Sequence, residues 1–325
     1  YYAAVIALLT GAEVAVPSTA GSGSTGGPSD MKTITGTVEI SGTQPATGTE
    51  SLSGTASATP TTSLTTSATG GQGRLLYSTV QDGEDRIFLL EFGAANATLT
   101  EILGQARQPA LQPGGVRVAY QSTRPDMLGL GGYDLDGGTE RFNFTTNAED
   151  GLPRWSPDGS KLAFSSTRFG DGRSRVYTAW PQVAGFGSEE PVDQGEGSDP
   201  DWSPDGTRIV YKGCDASGTN CGLWTLAPAD GGGSDRRQLT NNANDSRPRW
   251  SPDGSRVVFM SDGRDGNFDV YSVAVNADYS GGDVTRITFN AASDGLPAIS
   301  PDGREIVFVS NRGNQWGIWR VAIES

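Results

Sequence analysis

A five-residue phrase, Trp-Ser-Pro-Asp-Gly, recurs along the chain at nearly constant intervals. It begins at Trp155, Trp202 and Trp250, and a near copy begins at Ile299. The prolines of the four copies lie at positions 157, 204, 252 and 301, so successive copies are 47, 48 and 49 residues apart. A worn copy, Leu-Gln-Pro-Gly-Gly, begins at Leu111. A turn motif with a period in the forties is typical of propellers and solenoids, and not of a single enzyme core.

Each copy predicts a tight turn between short strands. Pro fixes φ at the second position of a turn, Asp hydrogen-bonds across the bend, and Gly accepts a positive φ. A run rich in β-branched and aromatic residues follows each turn, and a second run follows a polar loop; residues 208–212 and 223–226 are one such pair. These runs are typical of buried strands. Four short antiparallel strands in each unit form one propeller blade.

Two further units precede the clear copies. Residues 74–77 and 86–91 match the two central strands of a first unit, and residues 117–121 and 133–136 match those of a second. The six units, residues 74–325, resemble the repeats of TolB-type six-bladed β-propellers, which are relatives of the WD-repeat family. The resemblance implies an all-β fold. It implies no single function, because such propellers serve as translocation scaffolds, sensor ectodomains and peptidase gates.

Residues 1–73 have a different character and are predicted to form an extended amino-terminal arm. Residues 1–16 are apolar, whereas residues 17–73 are rich in Ser, Thr and Gly. Within residues 31–41, three apolar residues share one parity, as in a half-buried strand. On a monomer, residues 1–16 would form an exposed apolar surface, which favours association with another surface. We therefore predict an assembly arm, with these contact residues: Tyr1, Tyr2, Val5, Ile6, Leu8, Leu9, Ile34, Val38 and Ile40. Periplasmic TolB proteins carry an amino-terminal α/β domain, which this arm does not resemble.

The blade pattern suggests where the arm binds. We expect the first unit to lack an inner strand before Arg74 and the sixth to lack an outermost strand, which leaves a seam with unpaired edges. The arm fills this seam in its own chain or in a neighbouring copy, or else it is a flexible stalk. Strand addition to a neighbour is head-to-tail, and it generates a filament unless a rotation closes it into a ring.

The charge balance limits the partners. Lys and Arg number 24 and Asp and Glu number 38, for a net charge of −14. Such a surface repels phosphate backbones, so we expect no nucleic-acid partner. The expected partner is a second copy of the chain. A membrane is expected only if residues 1–16 are the remnant of a truncated span, because they are shorter than the ~20 residues that a span needs.

Two further sequence features concern the compartment. Cys214 and Cys221 are the only cysteines, and we predict a disulfide between them in the loop of the fourth unit. A zinc site would need two more ligands. The disulfide indicates an oxidising compartment, so the protein is expected outside the cell or on its surface, or alternatively in the periplasm. Sequons at Asn96, Asn143 and Asn244 are predicted glycosylation sites.

Catalytic signatures are missing from the sequence. It contains no histidine, which excludes Ser-His-Asp catalysis and histidine-bound catalytic metals. It has no phosphate-binding loop, and we expect no cofactor, no metal and no enzymatic activity. Asp150, Asp245 and Asp294 each lie three residues before a repeat proline, near the expected mouth of the central channel. They are candidates for binding a cation or a partner's basic group; the alternative is a loop or capping role.

These observations favour a non-enzymatic extracellular structural protein that assembles into a filament through its arm. Two alternatives stay open. One is a TolB-like scaffold of the cell envelope that captures a partner's tail in the propeller channel. The other is the propeller ectodomain of a membrane sensor. The mass of the particle in solution separates the first of the three from the others.

Overall fold

Six antiparallel sheets surround a central axis in the computed structural model, which describes residues 4–8, 34–41, 51–58, 61–65, 73–92, 96–137, 141–180, 190–312 and 316–323. The expectation of an all-β, six-bladed propeller is confirmed. The described residues form no α-helix, so they contain no helix that is long and apolar enough to cross a membrane.

Blades 3, 4 and 5 each have four strands in simple up-and-down order, from the central axis outwards. Their strands are β12 (Gly151–Trp155), β13 (Leu162–Ser166), β14 (Arg175–Ala179) and β15 (Val192–Glu196) in blade 3; β16 (Ser198–Trp202), β17 (Ile209–Cys214), β18 (Cys221–Ala227) and β19 (Ser234–Gln238) in blade 4; and β20 (Ser246–Trp250), β21 (Arg256–Ser261), β22 (Asp269–Val275) and β23 (Gly281–Arg286) in blade 5.

The remaining blades lie on either side of these three. Blade 2 has the same order, with β8 (Ala106–Leu111), β9 (Arg117–Arg124), β10 (Met127–Asp134) and β11 (Arg141–Asn143). Within the described residues blade 6 has three strands, β24 (Asp294–Ile299), β25 (Glu305–Ser310) and β26 (Gly317–Ala322). Blade 1 contains β5 (Gly73–Gln81), β6 (Glu84–Phe92) and β7 (Asn96–Gly104).

The arm contributes to blade 1 at both edges. Its inner strand is β1 (Ala4–Leu8), which pairs antiparallel with β5 and lies against β24 and β25. Its outermost strand is β4 (Thr61–Thr65), paired with β7. The strand that is missing directly before Arg74 is thus provided by residues far upstream. Between these two strands, β2 (Ile34–Ser41) and β3 (Ser51–Ala58) form a separate two-stranded sheet.

The repeated phrase forms the turns that the sequence predicts. In its first copy the amide of Gly159 donates to the carbonyl of Ser156 at 2.8 Å, and Gly159 has a φ of +70°. The Asp158 carboxylate accepts from the Ser156 hydroxyl and from the Ser160 amide. These hydrogen bonds lower the pKa of Asp158 to about 2. The other three full copies share the turn hydrogen bond from the glycine amide to the serine carbonyl.

The core lies between neighbouring blades. Trp155 is buried among residues of blades 2 and 3, and its indole nitrogen donates to the carbonyl of Ala110 at 3.1 Å. Trp202 packs on blade 3 and Trp250 on blade 4 in the same way. The repeat tryptophans therefore stabilise the contact between consecutive blades, and they face away from the channel.

The predicted disulfide between Cys214 and Cys221 is present, and it joins the ends of β17 and β18. We expect the Cys214→Ala/Cys221→Ala variant to lose about 2.5 kcal/mol of unfolding free energy, because the bond closes a short loop in the unfolded chain. Urea unfolding of the oxidised protein and of the variant measures this loss. A wild-type protein that is equally stable with and without dithiothreitol would contradict the expectation.

Candidate functional site

The inner strands of blades 2 to 6 share an irregularity near their starts, which lie together at one end of the central axis and are expected to form the mouth of the channel. Each contains a β-bulge, and at each bulge a non-glycine residue with a φ between 53° and 56° directly precedes a proline. We call these five half-buried residues the mouth ring: Gln108, Leu152, Asp199, Arg247 and Leu296. A left-handed conformation is costly for such residues, and bulges turn side chains in new directions.

Neighbouring blades hold this strained backbone in place. The Leu152 amide donates to Gln108 Oε1 at 2.7 Å, and the Asp199 amide donates to Ser165 Oγ at 2.9 Å. Arg247 Nη1 and Asp199 Oδ1 form an ion pair at 3.0 Å. The mouth ring is thus connected from blade to blade. Strained residues of this kind cluster at binding sites, where the surroundings fix them in one arrangement.

The three aspartates predicted at the channel mouth lie at the start of their inner strands, but their side chains are fully buried. Each carboxylate receives two hydrogen bonds from one arginine: Asp150 from Arg168, Asp245 from Arg264, and Asp294 from Arg312. Their predicted role in binding a cation or a partner's basic group stays a prediction, and it would require these arginines to move.

Sequence reasoning missed the three arginines. Each follows the second strand of its blade and lies over aromatic rings of the same blade; Arg264, for example, is 5.5 Å from the ring of Phe259 and 5.4 Å from that of Tyr271. The signal in the sequence was a serine followed two or three residues later by arginine, as in Ser166 and Arg168. In blade 4, Arg236 comes from the outermost strand and lies over Tyr211 and Trp224 instead.

A buried charge pair lies behind the mouth ring. Arg154 Nε is 3.8 Å from Asp201 Oδ1, and Asp201 Oδ2 accepts the amide of Trp250 at 2.9 Å. Burial raises the pKa of Asp201 to about 6, against the opposite effects of Arg154 and of the backbone hydrogen bonds. The wall of the channel between blades 3 and 5 is therefore poorly solvated at this point.

This raised pKa predicts a pH dependence. The folded state holds the proton of Asp201 more tightly than the unfolded chain does. The stabilisation of the folded state by this proton is therefore fully present below pH 4 and is lost as the pH rises through 6. The Asp201→Asn variant keeps the neutral form at every pH. We expect the wild type to lose up to about 3 kcal/mol relative to this variant between pH 4 and pH 7. Urea unfolding at several pH values measures the difference; a difference that stays constant would contradict the prediction.

The remaining predicted residues are placed as follows. Val5, Ile6 and Leu8 belong to β1, and Ile34, Val38 and Ile40 belong to β2, whereas Tyr1, Tyr2 and Leu9 lie outside the described residues. Among the sequons, Asn244 is exposed and Asn143 is half-buried; the side chain of Asn96 is outside the described part of the chain. Glycosylation stays a prediction. No cluster of acidic or sulfur ligands suited to a metal occurs in the described residues.

The six blades around one axis define a six-bladed β-propeller. Residues 192–325 match the family model described as the TolB beta propeller domain, which confirms the prediction of TolB-type repeats. The crystal structure of TolB from Acinetobacter baumannii is similar, with a TM-score of 0.59 and 18% identity over 78% of this chain and 64% of that one. This chain thus spans less than two thirds of that TolB. No curated protein matches it.

Two other solved structures with this fold are enzymes. An oligogalacturonate lyase in complex with manganese has a TM-score of 0.53 and 16% identity, covering 92% of this chain and 99% of its own. A puromycin-hydrolysing peptidase of Mycobacterium tuberculosis has a TM-score of 0.51 and 16% identity, covering 81% of this chain and 45% of its own. The prediction that the chain is not an enzyme is therefore wrong, because this fold includes enzymes. Similarity at this level shows the fold, and it assigns no reaction.

Proposed function

We propose that this chain is a secreted structural protein that assembles with copies of itself by strand addition, with the outer edge of blade 6 as the acceptor. The TolB-like propeller fold supports a protein-interaction scaffold. The observation that carries the finer proposal is β26, which has no fourth strand beside it among the described residues.

The sequence of β26 is that of a covered strand. In blades 4 and 5 the third strands are apolar and mostly buried, whereas the outermost strands β19 and β23 are polar and largely exposed. Strand β26 is a third strand of the apolar type, Gly-Ile-Trp-Arg-Val-Ala. It carries no lysine or proline, the residues that usually protect an exposed edge. The edge of β26 that no described strand covers is thus suited to accept another strand.

The hairpin of β2 and β3 is the donor that the proposal requires. These strands pair with each other, and neither pairs with a blade strand among the residues that the structure describes. Strand β2 has eight residues, enough to cover the six of β26. Main-chain hydrogen bonds give such an addition its affinity, and alternate side chains give its specificity. Donor and acceptor are different surfaces, so repeated addition produces a filament unless it closes into a ring.

Replacing residues 34–58 with a Gly/Ser segment of equal length tests the proposal. We expect the wild type to form oligomers whose mass grows with concentration, and the variant to remain a folded monomer, because only the donor strands are lost. Sedimentation velocity measures the mass, and the circular dichroism spectrum shows whether the propeller is folded. The matched control replaces residues 17–30, which contribute no described strand, and should assemble as the wild type does. Assembly of the hairpin variant, or a monomeric wild type, would refute the proposal.

A second candidate is a scaffold of the cell envelope that holds a segment of a partner protein in the channel. The mouth ring favours it, because five consecutive inner strands each place one strained residue near the same end of the central axis. The disulfide is compatible with a secreted or periplasmic protein. The Leu152→Asp/Leu296→Asp variant tests this function: it should lose binding of channel ligands while its assembly through blade 6 is unchanged.

A further inference from the structure

One position is equivalent in the inner strands of blades 2 to 6: the residue before the repeat tryptophan, or before the Leu111 or Ile299 that replaces it. These equivalent positions in blades 2 to 6 are occupied by Ala110, Arg154, Asp201, Arg249 and Ala298. Because the tryptophans pack on the preceding blade, the alternation along a strand turns these residues towards the following blade. Arg154 in blade 3 accordingly reaches Asp201 at the equivalent position in blade 4.

Arg249 repeats the arrangement of Arg154 two blades further on. In both residues Nη1 donates to the carbonyl of the preceding proline, Pro153 for Arg154 and Pro248 for Arg249. The equivalent of Asp201 in blade 6 is Ala298, whose side chain is buried and carries no charge. The position equivalent to the carboxylate partner of Arg154 thus holds a methyl group in the case of Arg249, and Arg249 forms no ion pair with the described residues.

The chain itself thus indicates which group Arg249 accepts. A half-buried guanidinium without a counter-charge gains from a carboxylate, which it binds through charge-assisted hydrogen bonds. The nearby Arg247 does not compete, because it is paired with Asp199. The surface as a whole is acidic, with a net charge of −14, so it does not attract anions from a distance. Binding at Arg249 must arise from this local contact.

We propose that Arg249 is a carboxylate-binding residue of the channel wall between blades 5 and 6, and that its ligand is a peptide carrying a carboxylate as a chain terminus or as an acidic side chain. The ligand group takes beside Arg249 the position that Asp201 takes beside Arg154. This site rests on the second proposed function, the channel scaffold, and it is separate from the assembly edge on β26.

Arginine Nε–Hε NMR signals of the ¹⁵N-labelled protein report binding directly. Three probes distinguish the source of the carboxylate: acetyl-Gly-Gly-Ala with a free terminus, the same peptide amidated, and amidated acetyl-Gly-Asp-Ala. We expect saturable shifts of the Arg249 signal with the first or the third peptide and none with the second. The Arg249→Ala variant should weaken binding at least about tenfold, since one hydrogen-bonded ion pair is lost. Arg256→Ala is the control, because Arg256 is in the same blade and also has no ion pair with the described residues.

Placing a carboxylate at position 298 tests the geometry independently of any ligand. The Ala298→Asp variant recreates the pair of Arg154 and Asp201, so it should keep a Tm near that of the wild type and abolish peptide binding. In the Arg249→Ala background the same aspartate is buried without a partner, and the Tm should fall clearly. Equal destabilisation in both backgrounds, peptide binding retained by Ala298→Asp, or no shift with any peptide would overturn the assignment. The two proposals can fail separately. If the Leu152→Asp/Leu296→Asp variant loses peptide binding but the Arg249→Ala variant retains it, the role of Arg249 is refuted and the proposed channel function is not.

Discussion

The Asp245→Asn variant is expected to lose about 3 kcal/mol of unfolding free energy. The Asp245 side chain is fully buried, and its two oxygens accept from Arg264 at 3.2 and 2.6 Å. Arg264 is enclosed by the rings of Phe259 and Tyr271. An asparagine provides one acceptor and no charge, so the half-buried Arg264 loses its counter-ion. Removal of one partner of such a pair is strongly destabilising.

Asp253→Asn is the matched control in the same blade. Asp253 is an exposed turn residue that accepts from Ser251 and Ser255 within its own loop. Its loss should cost no more than about 1 kcal/mol, as expected for one local hydrogen-bonding group. Urea unfolding followed by circular dichroism measures both variants. Equal losses in the two variants would show that the burial of Asp245 has no special importance.

The same argument gives the buried aspartates a role in the channel mouth. Each fastens the start of an inner strand to the loop after the second strand of its blade, as in the pair of Asp150 and Arg168. The mouth-ring residue follows two residues later, for example Leu152 after Asp150. The ion pairs thus hold the strained backbone at a fixed position, and their loss should loosen the mouth before the whole propeller unfolds.

The sequence predicted the repeating part of the fold because its determinants are local. The turns need only Pro, Asp and Gly in order, and the strands that follow are recognised by their apolar residues. The mouth ring could not be predicted in this way. A residue before proline normally avoids the helical region, so the left-handed φ of Leu152 or Asp199 follows from the bulge in the inner strand and not from local preference.

Local sequence patterns also could not predict which arginines pair with the buried aspartates, or which residues form the inner strand of blade 1. Asp150 and Arg168 are 18 residues apart and meet only when two strands are in register. Strand β1 precedes β5 by most of the arm, and nothing near Arg74 indicates that Ala4–Leu8 supplies the missing strand. Composition identified the arm as a segment that needs a partner and the blade pattern indicated the seam before Arg74, but neither showed which residues of the arm fill it.

Replacing Ala4–Leu8 with a Gly/Ser segment of equal length is expected to open the propeller between blades 1 and 6. Strand β1 pairs with β5 over Leu75–Ser78 and lies against β24. Its loss removes backbone hydrogen bonds and uncovers Leu75, Leu76 and Tyr77, which are buried with the strand in place. With about 1 kcal/mol for each lost bond, the expected cost is at least about 4 kcal/mol. Hydrogen exchange of the β5 amides should accelerate strongly, and unchanged protection would contradict the prediction.

Adding β1 to the variant as a synthetic peptide distinguishes the effect of this strand from the effect of the rest of the arm. A synthetic peptide of residues 1–9 with a lysine tail should restore the protection of β5, whereas the same peptide with Ile6→Pro should not, because proline cannot complete the ladder. Residues 9–33 connect β1 to the hairpin of β2 and β3, and a chain of that length spans up to roughly 80 Å when extended. The same strand can therefore reach blade 1 of its own chain or of a neighbour. If wild-type protein mixed with the β1 variant restores the variant's protection, the strand is exchanged between copies; if only the free peptide does so, it stays within its own chain.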